Sequence, residues 1–363
     1  MSVNQKILDE IVKHEIDMHR LRDTDVRKLI SIYNRMIEEI KQKLKAIDPT
    51  APAQKTYQEQ RLQKLLEQSY AIVNTYMANE IPNEHYDMMV SMANAEADTF
   101  AVMFNGAIGF EVMTVGLPAT MIKNIVNETM LEGIPVKEWW KRQGEDIKFR
   151  YKQEMTQGMM QGETINQLTA RINNNVAPVP RNHAEALART GFQSVVQRTR
   201  AEMYEENADI IKGIEWVATL DTRTTKLCAA LDGQTWYMPD YRKWTATRKF
   251  PGYPPIHWNC RSTTTPIVKS YEELAGVGGN KELARELDKP DNSAKRAAMD
   301  GTVPKGYTYD QWLKKQPVSR QKEVLGPKTY ELWKDGKITS VKQLVDKSGE
   351  PLTYKQLYEK YGM

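Results

Sequence analysis

Residues 187–268 read LARTGFQSVVQRTRAEMYEENADIIKGIEWVATLDTRTTKLCAALDGQTWYMPDYRKWTATRKFPGYPPIHWNCRSTTTPIV. This stretch decides the fold, because it holds both cysteines of the chain, Cys228 and Cys260, and the histidine closest to them in sequence, His257. Its two ends predict different structures. The first residues follow helical spacing, whereas the end cannot be helical, because Pro254 and Pro255 lack backbone N–H donors.

The stretch predicts a helix and then a short strand. The helix is indicated by four side chains near helical spacing: Leu187, Val195, Thr199 and Met203. The period then changes, since Ile214, Trp216 and Ala218 alternate with the residues between them, as in a β-strand. A turn-rich segment begins at Asp221.

The composition is that of a polar protein of two or three domains. The chain has 363 residues, of which 27% are charged and 40% hydrophobic, with 51 Lys and Arg against 47 Asp and Glu. A formal charge of +4 is too small to indicate nucleic-acid binding by itself. Two cysteines cannot form a disulfide framework, and no secretory leader is recognisable, so we expect a reducing cytoplasm.

The N-terminal part predicts two long helices. The first covers residues 2–47 and carries a narrow apolar stripe: Leu29, Tyr33, Met36, Ile40, Leu44 and Ile47. The second ends near Ile81-Pro82 and has a stripe of its own: Leu62, Leu66, Tyr70, Val73 and Met77. Two interpretations remain open. The stripes are the core of a helical hairpin, or they form an oligomerisation or docking surface.

An apolar segment at residues 100–126 predicts a buried helical hairpin or helix pair. Asn105, Glu111, Pro118 and three glycines interrupt it, so we expect no stable membrane span. A surface covered by another subunit and a transient membrane contact are the alternatives.

The whole chain is predicted to be mainly α, with long N-terminal helices, a small α+β domain and a small helical C-terminal unit. A helix restart is expected from Gly162, with Thr164 or a neighbour as its cap, and a break at Asn173–Asn175 followed by Pro178 and Pro180. The predicted boundaries are a helical docking region at 1–180, a motif domain at 181–270, a connector at 271–306 with one short helix near 280–287, and a tail unit at 307–363.

One set of residues has metal-ligand character. His257 and Cys260 form a His-x-x-Cys turn, and Cys228 on a distant loop completes three soft ligands, with Asp221 or water as the fourth ligand of tetrahedral zinc. The alternative is structural, with the cysteines packed as small hydrophobic residues and His257 pinning the loop through a backbone hydrogen bond.

Two further interpretations concern activity. Cys228, His257 and Asp221 can be arranged as nucleophile, base and orienting acid, although no glycine-rich elbow accompanies Cys228. Basic residues interleaved with Trp236, Tyr237, Tyr241 and Trp244 are the features that can contact nucleic acid. These basic residues are Arg189, Arg198, Arg200, Arg223, Arg242, Lys243, Arg248, Lys249 and Arg261.

The stretch resembles the phage Mu F-like minor head proteins, the phage head morphogenesis family. The matching residues are Ala188-Arg189-Thr190, Trp216, Asp221-Thr222-Arg223-Thr224, Cys228, Leu231-Asp232-Gly233 and Pro254-Pro255-Ile256-His257-Trp258-Asn259-Cys260-Arg261. The tail is similar too, in residues 309–316 and Leu325-Gly326-Pro327. The helical half has no motif of its own.

Three positions depart from the family pattern. Gly191 stands where the family usually has Glu, Thr225 where it has the first cysteine, and Ser262 where it has the last. If the family's cysteines and histidine hold a metal, two ligands are missing here. The departures therefore favour a loop held by packing and hydrogen bonds, with Asp221 paired to Arg223 or Arg261.

The resemblance implies a minor capsid protein, a low-copy component bound to the portal inside the head and needed for head assembly or DNA delivery. The implied partners are the portal protein, the major capsid or scaffold protein and packaged DNA, with several copies around the portal. No catalytic residue is assigned, and the alternative is a metal-dependent enzyme or a DNA-binding ejection protein. The residues assigned to the motif are Arg189, Thr190, Trp216, Asp221, Arg223, Cys228, Asp232, Gly233, His257, Cys260 and Arg261.

Overall fold

The computed structural model describes residues 3–46, 55–109, 111, 113, 116–270, 273, 295–304 and 306–362. The helices of its first part are α1 (Val3–Lys45), α2 (Lys55–Thr75), α3 (Ile81–Ile108), α4 (Ala119–Asn127), α5 (Val136–Met160), α6 (Ile165–Arg171) and α7 (Pro178–Glu206). Further helices follow: α8 (Lys226–Leu231), α9 (Tyr309–Lys314), α10 (Val318–Leu325), α11 (Pro327–Lys334) and α12 (Tyr354–Tyr361). The strands are β1 (Met130–Leu131), β2 (Ile134–Pro135), β3 (Ile211–Val217), β4 (Thr235–Tyr237), β5 (Thr263–Val268), β6 (Lys295–Ala298) and β7 (Gly301–Pro304). The predicted fold class, mainly α with a small α+β part, is confirmed.

The chain folds into two compact units that do not follow chain order. The helical unit consists of residues 19–94 and 118–196, and the motif unit of residues 1–18, 95–117 and 197–363. Among the described residues, no helix has the length and apolar character needed to cross a membrane.

The apolar stripe of α1 is buried inside the folded chain. Leu29, Tyr33, Met36, Ile40 and Leu44 are all almost inaccessible to solvent, so they form part of the core of the helical unit. Burial of such side chains contributes roughly 1.5–3 kcal/mol each. Of the two interpretations, the core is therefore the one that holds for these residues, and the stripe is not free to dock a partner. Ile47 lies outside the described residues.

The predicted helix end at Ile81-Pro82 is wrong. A π-helical turn at Tyr76–Glu80 joins α2 to α3, and Pro82 is the second residue of α3. The Ile81 N–H donates to the Tyr76 carbonyl across this wider turn. The wider turn therefore lies directly before the proline, which has no N–H to donate and is tolerated near a helix start.

The helix break expected near residue 180 lies earlier in the chain, at residues 172–177. A second π turn, Ile172–Val176, follows α6, and α7 begins at Pro178. Both prolines of this region lie in the first turn of α7, where a helix leaves its N–H groups unpaired anyway. The predicted restart at Thr164 is confirmed, because Thr164 caps α6 and forms a capping box with Gln167.

The apolar segment contains the end of α3 and all but the last residue of α4. Phe100, Phe104, Ile122 and Ile125 are buried.

The motif unit is built on a three-stranded antiparallel sheet in the order β4-β3-β5. The predicted strand is confirmed as β3, in which Trp216 is fully buried and pairs with Thr264 of β5. The sequence interpretation of 271–306 as an irregular connector missed the β6–β7 hairpin. The helix expected near 280–287 lies outside the described residues.

The C-terminal helices share a hydrophobic core with the motif residues. Tyr309, Trp312 and Leu344 are buried in one cluster with Leu220, which follows β3, and with Ala229 of α8. The tail therefore packs directly on the segment that carries the motif.

Candidate functional site

Cys228, His257 and Cys260 come together in the motif unit. The Cys228 Sγ lies 3.1 Å from the His257 Nε2 and 3.8 Å from the Cys260 Sγ. Both cysteines are buried and free, and His257 is half-buried. Cys228 is presented by α8, whereas His257 and Cys260 lie on the loop before β5. The structure thus brings together the three residues assigned as possible metal ligands.

The two positions at which the family pattern has cysteine border the same centre. The Thr225 Oγ1 accepts the Cys228 N–H at 3.3 Å, which caps α8, and it lies 3.1 Å from the His257 Nε2. Ser262 is buried and hydrogen-bonds Cys228. Hydroxyl groups therefore stand beside the three remaining donors where the family pattern has thiols.

The two thiols have different acidities. The hydrogen bond to Cys260 and burial raise the pKa of the Cys228 thiol well above its usual value. The hydrogen bond from Cys228 lowers the pKa of Cys260 well below its usual value, and the neighbouring His257 adds to the effect. Burial opposes a charged His257, but its hydrogen bond to Cys260 outweighs this and raises its pKa. Cys260 is thus the thiol that is poised to ionise.

The donor atoms fit a tetrahedral zinc ion. Two thiolates bound at about 2.3 Å in tetrahedral geometry lie about 3.8 Å apart. The two Sγ atoms of Cys228 and Cys260 show this separation, and all three donors lie within 4.8 Å of one another. One cysteine is the easily ionised thiol, and thiolate is the form that binds metal.

The catalytic triad considered from the sequence is not formed. The His257 Nδ1 lies 2.9 Å from the Trp258 carbonyl oxygen and so donates to the backbone rather than to Asp221. Asp221 instead binds Arg261, with 2.6 Å between Oδ1 and Nη2. The hydrogen bond to Cys260 and burial raise the pKa of Cys228, which opposes formation of the thiolate that a nucleophile needs.

Asp221 organises the turn after β3. Its Oδ1 accepts the N–H groups of Arg223 at 2.9 Å and Thr224 at 3.0 Å, and both its oxygens face the Arg261 guanidinium. Burial opposes ionisation, but Arg261 and these hydrogen bonds outweigh it and hold the pKa of Asp221 below its usual value. Arg223 is largely exposed, and its Nε lies as far as 4.0 Å from the Asp221 Oδ2. The main partner of Asp221 is therefore Arg261.

Asp232 joins three parts of the motif unit. Its carboxylate accepts the N–H groups of Ala218 and Tyr309, each at 2.8 Å, and pairs with Arg296 of the β6–β7 hairpin. Gly233 follows with φ +73°, a conformation that favours glycine, and its N–H donates to the Trp216 carbonyl. The Leu-Asp-Gly motif therefore fixes the end of β3 and the start of α9.

Arg189 and Thr190 belong to the helical unit rather than to the motif unit. Arg189 pairs with Asp23 at 3.3 Å, and the Thr190 hydroxyl donates to the Ala186 carbonyl at 2.7 Å. The departure at Gly191 has a local cause. A Cβ at this position would lie 2.8 Å from the Cε1 of His85, which is completely buried.

A buried charged cluster was missed by the sequence reasoning. Arg200 is inaccessible to solvent, and its Nε donates to Glu96 at 2.7 Å while its Nη1 lies 3.3 Å from Glu15. His14 meets the other Glu96 oxygen at 2.7 Å. The interpretation of Arg200 as a nucleic-acid contact is therefore wrong, because its guanidinium is enclosed. Charged residues from three segments that are distant in sequence meet here, and no local sequence pattern predicts such a contact.

Four of the eight other cations proposed to contact nucleic acid form ion pairs, at positions 189, 223, 242 and 261. Arg189 and Arg261 bind carboxylates, and Arg242 pairs with Asp240 and lies over the Tyr237 ring. Lys243, Arg248 and Lys249 form no ion pair among the described residues.

One comparison with known proteins gives a match. Residues 150–265 match the family model described as Phage Mu protein F like protein. No curated protein and no solved structure matches the chain. The matched segment covers the whole three-donor centre, the Asp221 turn and Asp232. Over residues 150–265, about a third of its length, the chain is therefore similar to the phage Mu F-like proteins.

Proposed function

We propose that this chain is a minor capsid protein of a tailed phage, a low-copy structural component bound to the portal inside the head. It would join during assembly in the host cytoplasm and remain in the virion. The observation that carries the proposal is the family match of residues 150–265, because this family supplies phage head proteins.

The use of the motif residues supports a structural role. The carboxylates of Asp221 and Asp232 accept hydrogen bonds from backbone N–H groups and pair with Arg261 and Arg296. Groups that are satisfied inside the fold rigidify it and are not available to a substrate. The motif therefore maintains a compact module.

We place the portal contact on the outer surface of the helical unit, since the stripe of α1 is buried. On α5, Phe149 is 68% exposed and Met160 is 84% exposed. The two residues are eleven positions apart, which is about three helical turns, so they lie on one side of the helix. Two large exposed apolar side chains on one side of a helix are suited to a protein partner.

We also propose that Cys228, His257 and Cys260 hold a structural zinc ion. The separation of the two Sγ atoms, 3.8 Å, supports this assignment. Zinc would tie α8 to the loop before β5 and so add to the stability of the motif unit. A hydroxyl of Thr225 or Ser262, or a water molecule, would stand in the position where the family pattern has a further thiol.

The test of the proposed function is co-purification of the full chain with the portal protein of the same phage. We expect a stable complex that the double substitution Phe149→Ser and Met160→Ser weakens at least tenfold. Val318→Ser is the matched control, because Val318 is an exposed apolar residue in the tail. A chain that binds the major capsid protein but not the portal would contradict the proposal.

The enzyme alternative rests on the contact between Cys228 and His257. It predicts turnover that depends on bound metal and disappears in Cys228→Ser. The structural proposal predicts that this substitution changes zinc content and stability, with particle assembly affected only through them.

A further inference from the structure

A basic cleft lies within the motif unit. It has a volume of about 910 Å³ and is formed by the loop after β4, the turn at residues 342–348 and the end of α12. Six cations line it, with Asp346 as the single carboxylate: Lys243, Arg248, Lys249, Lys342, Lys347 and Lys360. This is a strong local excess in a chain whose net charge is only +4.

The six cations are available to a ligand. In the part of the chain that the structure describes, none of them forms an ion pair with a carboxylate. Lys243, Lys249, Lys342, Lys347 and Lys360 are exposed, and the Lys243 ammonium reaches only the Thr247 carbonyl, at 3.4 Å. Clustered cations of one sign repel one another, so a bound anion would relieve an unfavourable interaction.

Arg248 is the best-placed donor in the cleft. Its Nη2 donates to the Asp346 carbonyl at 3.2 Å, but its Nε and Nη1 are buried and have no hydrogen-bond partner among the described residues. Burial lowers the pKa of Arg248 from its usual value, and the attraction of the Asp346 carboxylate only partly offsets this. Two buried guanidinium donors without a partner are costly, so turning them towards a phosphate in the cleft would remove that cost.

The opposite wall is shaped around this arginine. Gly349 has φ +102°, and a Cβ there would lie 2.7 Å from the Arg248 Nη1. Asp346 forms no ion pair with the guanidinium; its Oδ1 accepts the N–H groups of Ser348, Gly349 and Glu350, and its single negative charge is set against six cations. The carboxylate is thus used to form the turn, and the cleft keeps its positive charge.

We propose that this basic cleft binds the phosphate backbone of double-stranded DNA. A single inorganic phosphate would engage only a few of the six cations. A duplex presents one negative charge per about 1.7 Å of its axis and can meet all of them. The lining offers cations and backbone groups without a pattern that would read bases, so the binding is independent of sequence. This inference does not depend on where the chain meets the portal.

The experiment measures binding of the full chain to a fluorescein-labelled 30-base-pair duplex of mixed sequence, by anisotropy, across a range of NaCl concentrations. The test variant combines Lys249→Gln, Lys342→Gln and Lys347→Gln. The matched control combines Lys322→Gln, Lys334→Gln and Lys355→Gln, which remove the same charge from exposed positions of the same unit outside the cleft. Thermal midpoints establish that both variants are folded.

The native chain is expected to bind with a steep salt dependence. The test variant should weaken binding about 100-fold at physiological salt and reduce the slope of log K against log salt by about 3, roughly one per lysine. The control should stay within about threefold of the native chain. Equal weakening in both variants would overturn the proposal, because it would show diffuse attraction to the surface.

Two further results would also overturn it. If inorganic phosphate at matched ionic strength displaces the duplex, the cleft is a site for a single phosphate. If the native chain does not bind the duplex, the cleft serves an acidic protein partner instead.

Discussion

Asp232 and Arg296 form a buried ion pair that links the motif to the hairpin beyond it. The Arg296 Nη2 lies 2.6 Å from the Asp232 Oδ1 and also donates to the Ala218 carbonyl, while Nη1 reaches the Asp232 Oδ2 and the Tyr307 carbonyl. One carboxylate thereby connects β3, the β6–β7 hairpin and the start of α9. The Leu-Asp-Gly signature is a structural joint.

Asp232→Asn should destabilise the motif unit strongly. Removing one charge leaves Arg296 buried without its counter-ion, and breaking such a pair costs about 3–5 kcal/mol. Urea unfolding measures the loss. Asp240→Asn is the control, because Asp240 pairs with Arg242 at the exposed surface and should cost less than about 1 kcal/mol. Equal losses of unfolding free energy in both variants would show that Asp232 does not hold these elements together.

Gly191→Ala should destabilise the helical unit although alanine is the better helix former. The added Cβ would meet the His85 Cε1 at 2.8 Å inside a closed core, and such overpacking costs about 1–3 kcal/mol. In a His85→Ala background the clash disappears, so the same substitution should become stabilising by up to about 1 kcal/mol. A double-mutant cycle without coupling would refute this explanation of the departure at Gly191.

His85 should make stability depend on pH. It is fully buried, and its Nδ1 accepts the Trp140 Nε1–H at 3.0 Å. Burial lowers the pKa of His85 to about 3, whereas the unfolded value is 6.5. Between these values the unfolded chain binds a proton that the folded chain does not. This group's contribution is therefore fully present above pH 6.5 and is lost by about 1.4 kcal/mol per pH unit as the pH falls towards 3.

Unfolding measured between pH 7 and pH 5 tests the contribution of His85. His85→Asn keeps an acceptor near Trp140 and should flatten the pH dependence by that slope. The matched control is His183→Asn, at a histidine on the exposed surface of the same unit. If His85→Asn keeps the pH dependence of the native chain's unfolding free energy, another group is responsible for the effect.

Zinc content should respond to the three donors and to the two hydroxyl positions. We expect about one zinc per purified chain by elemental analysis, its loss in Cys228→Ser, and a lower thermal midpoint after chelation. Thr225→Cys should tighten zinc binding, because the Thr225 Oγ1 already lies 3.1 Å from the His257 Nε2 and a thiolate is a stronger zinc ligand than a hydroxyl. If the native chain contains no zinc after expression in zinc-supplemented medium, the zinc proposal is contradicted. Packing and hydrogen bonds alone would then hold the loop.

Local patterns predicted much of the fold. Period-2 alternation located β3, and the capping sequence at Thr164 located the start of α6. The helix ends predicted at Pro82 and near residue 180 were wrong. In both places a π turn precedes the proline, and proline and glycine positions in the sequence do not reveal a π turn. The buried α1 stripe shows the same limit, since spacing identifies an apolar face but not what covers it.

The centre could be foreseen only in part. His-x-x-Cys and Cys228 are visible as potential ligands, and the structure places them together. The Glu96–Arg200 cluster and the Asp232–Arg296 pair depend on contacts between residues 104 and 64 positions apart. The basic cleft likewise needs the tail turn beside the β4 loop. Such sites arise from tertiary packing, which composition and spacing do not encode locally.

The most direct test of the central claim is quantitative mass spectrometry of purified particles, with this chain counted against portal and major capsid subunits before and after DNA release. We predict a few copies per particle, in a fixed ratio to the portal and retained after release. Loss with the DNA would contradict a stable portal attachment and indicate an ejection protein. Absence from particles would contradict the structural role altogether.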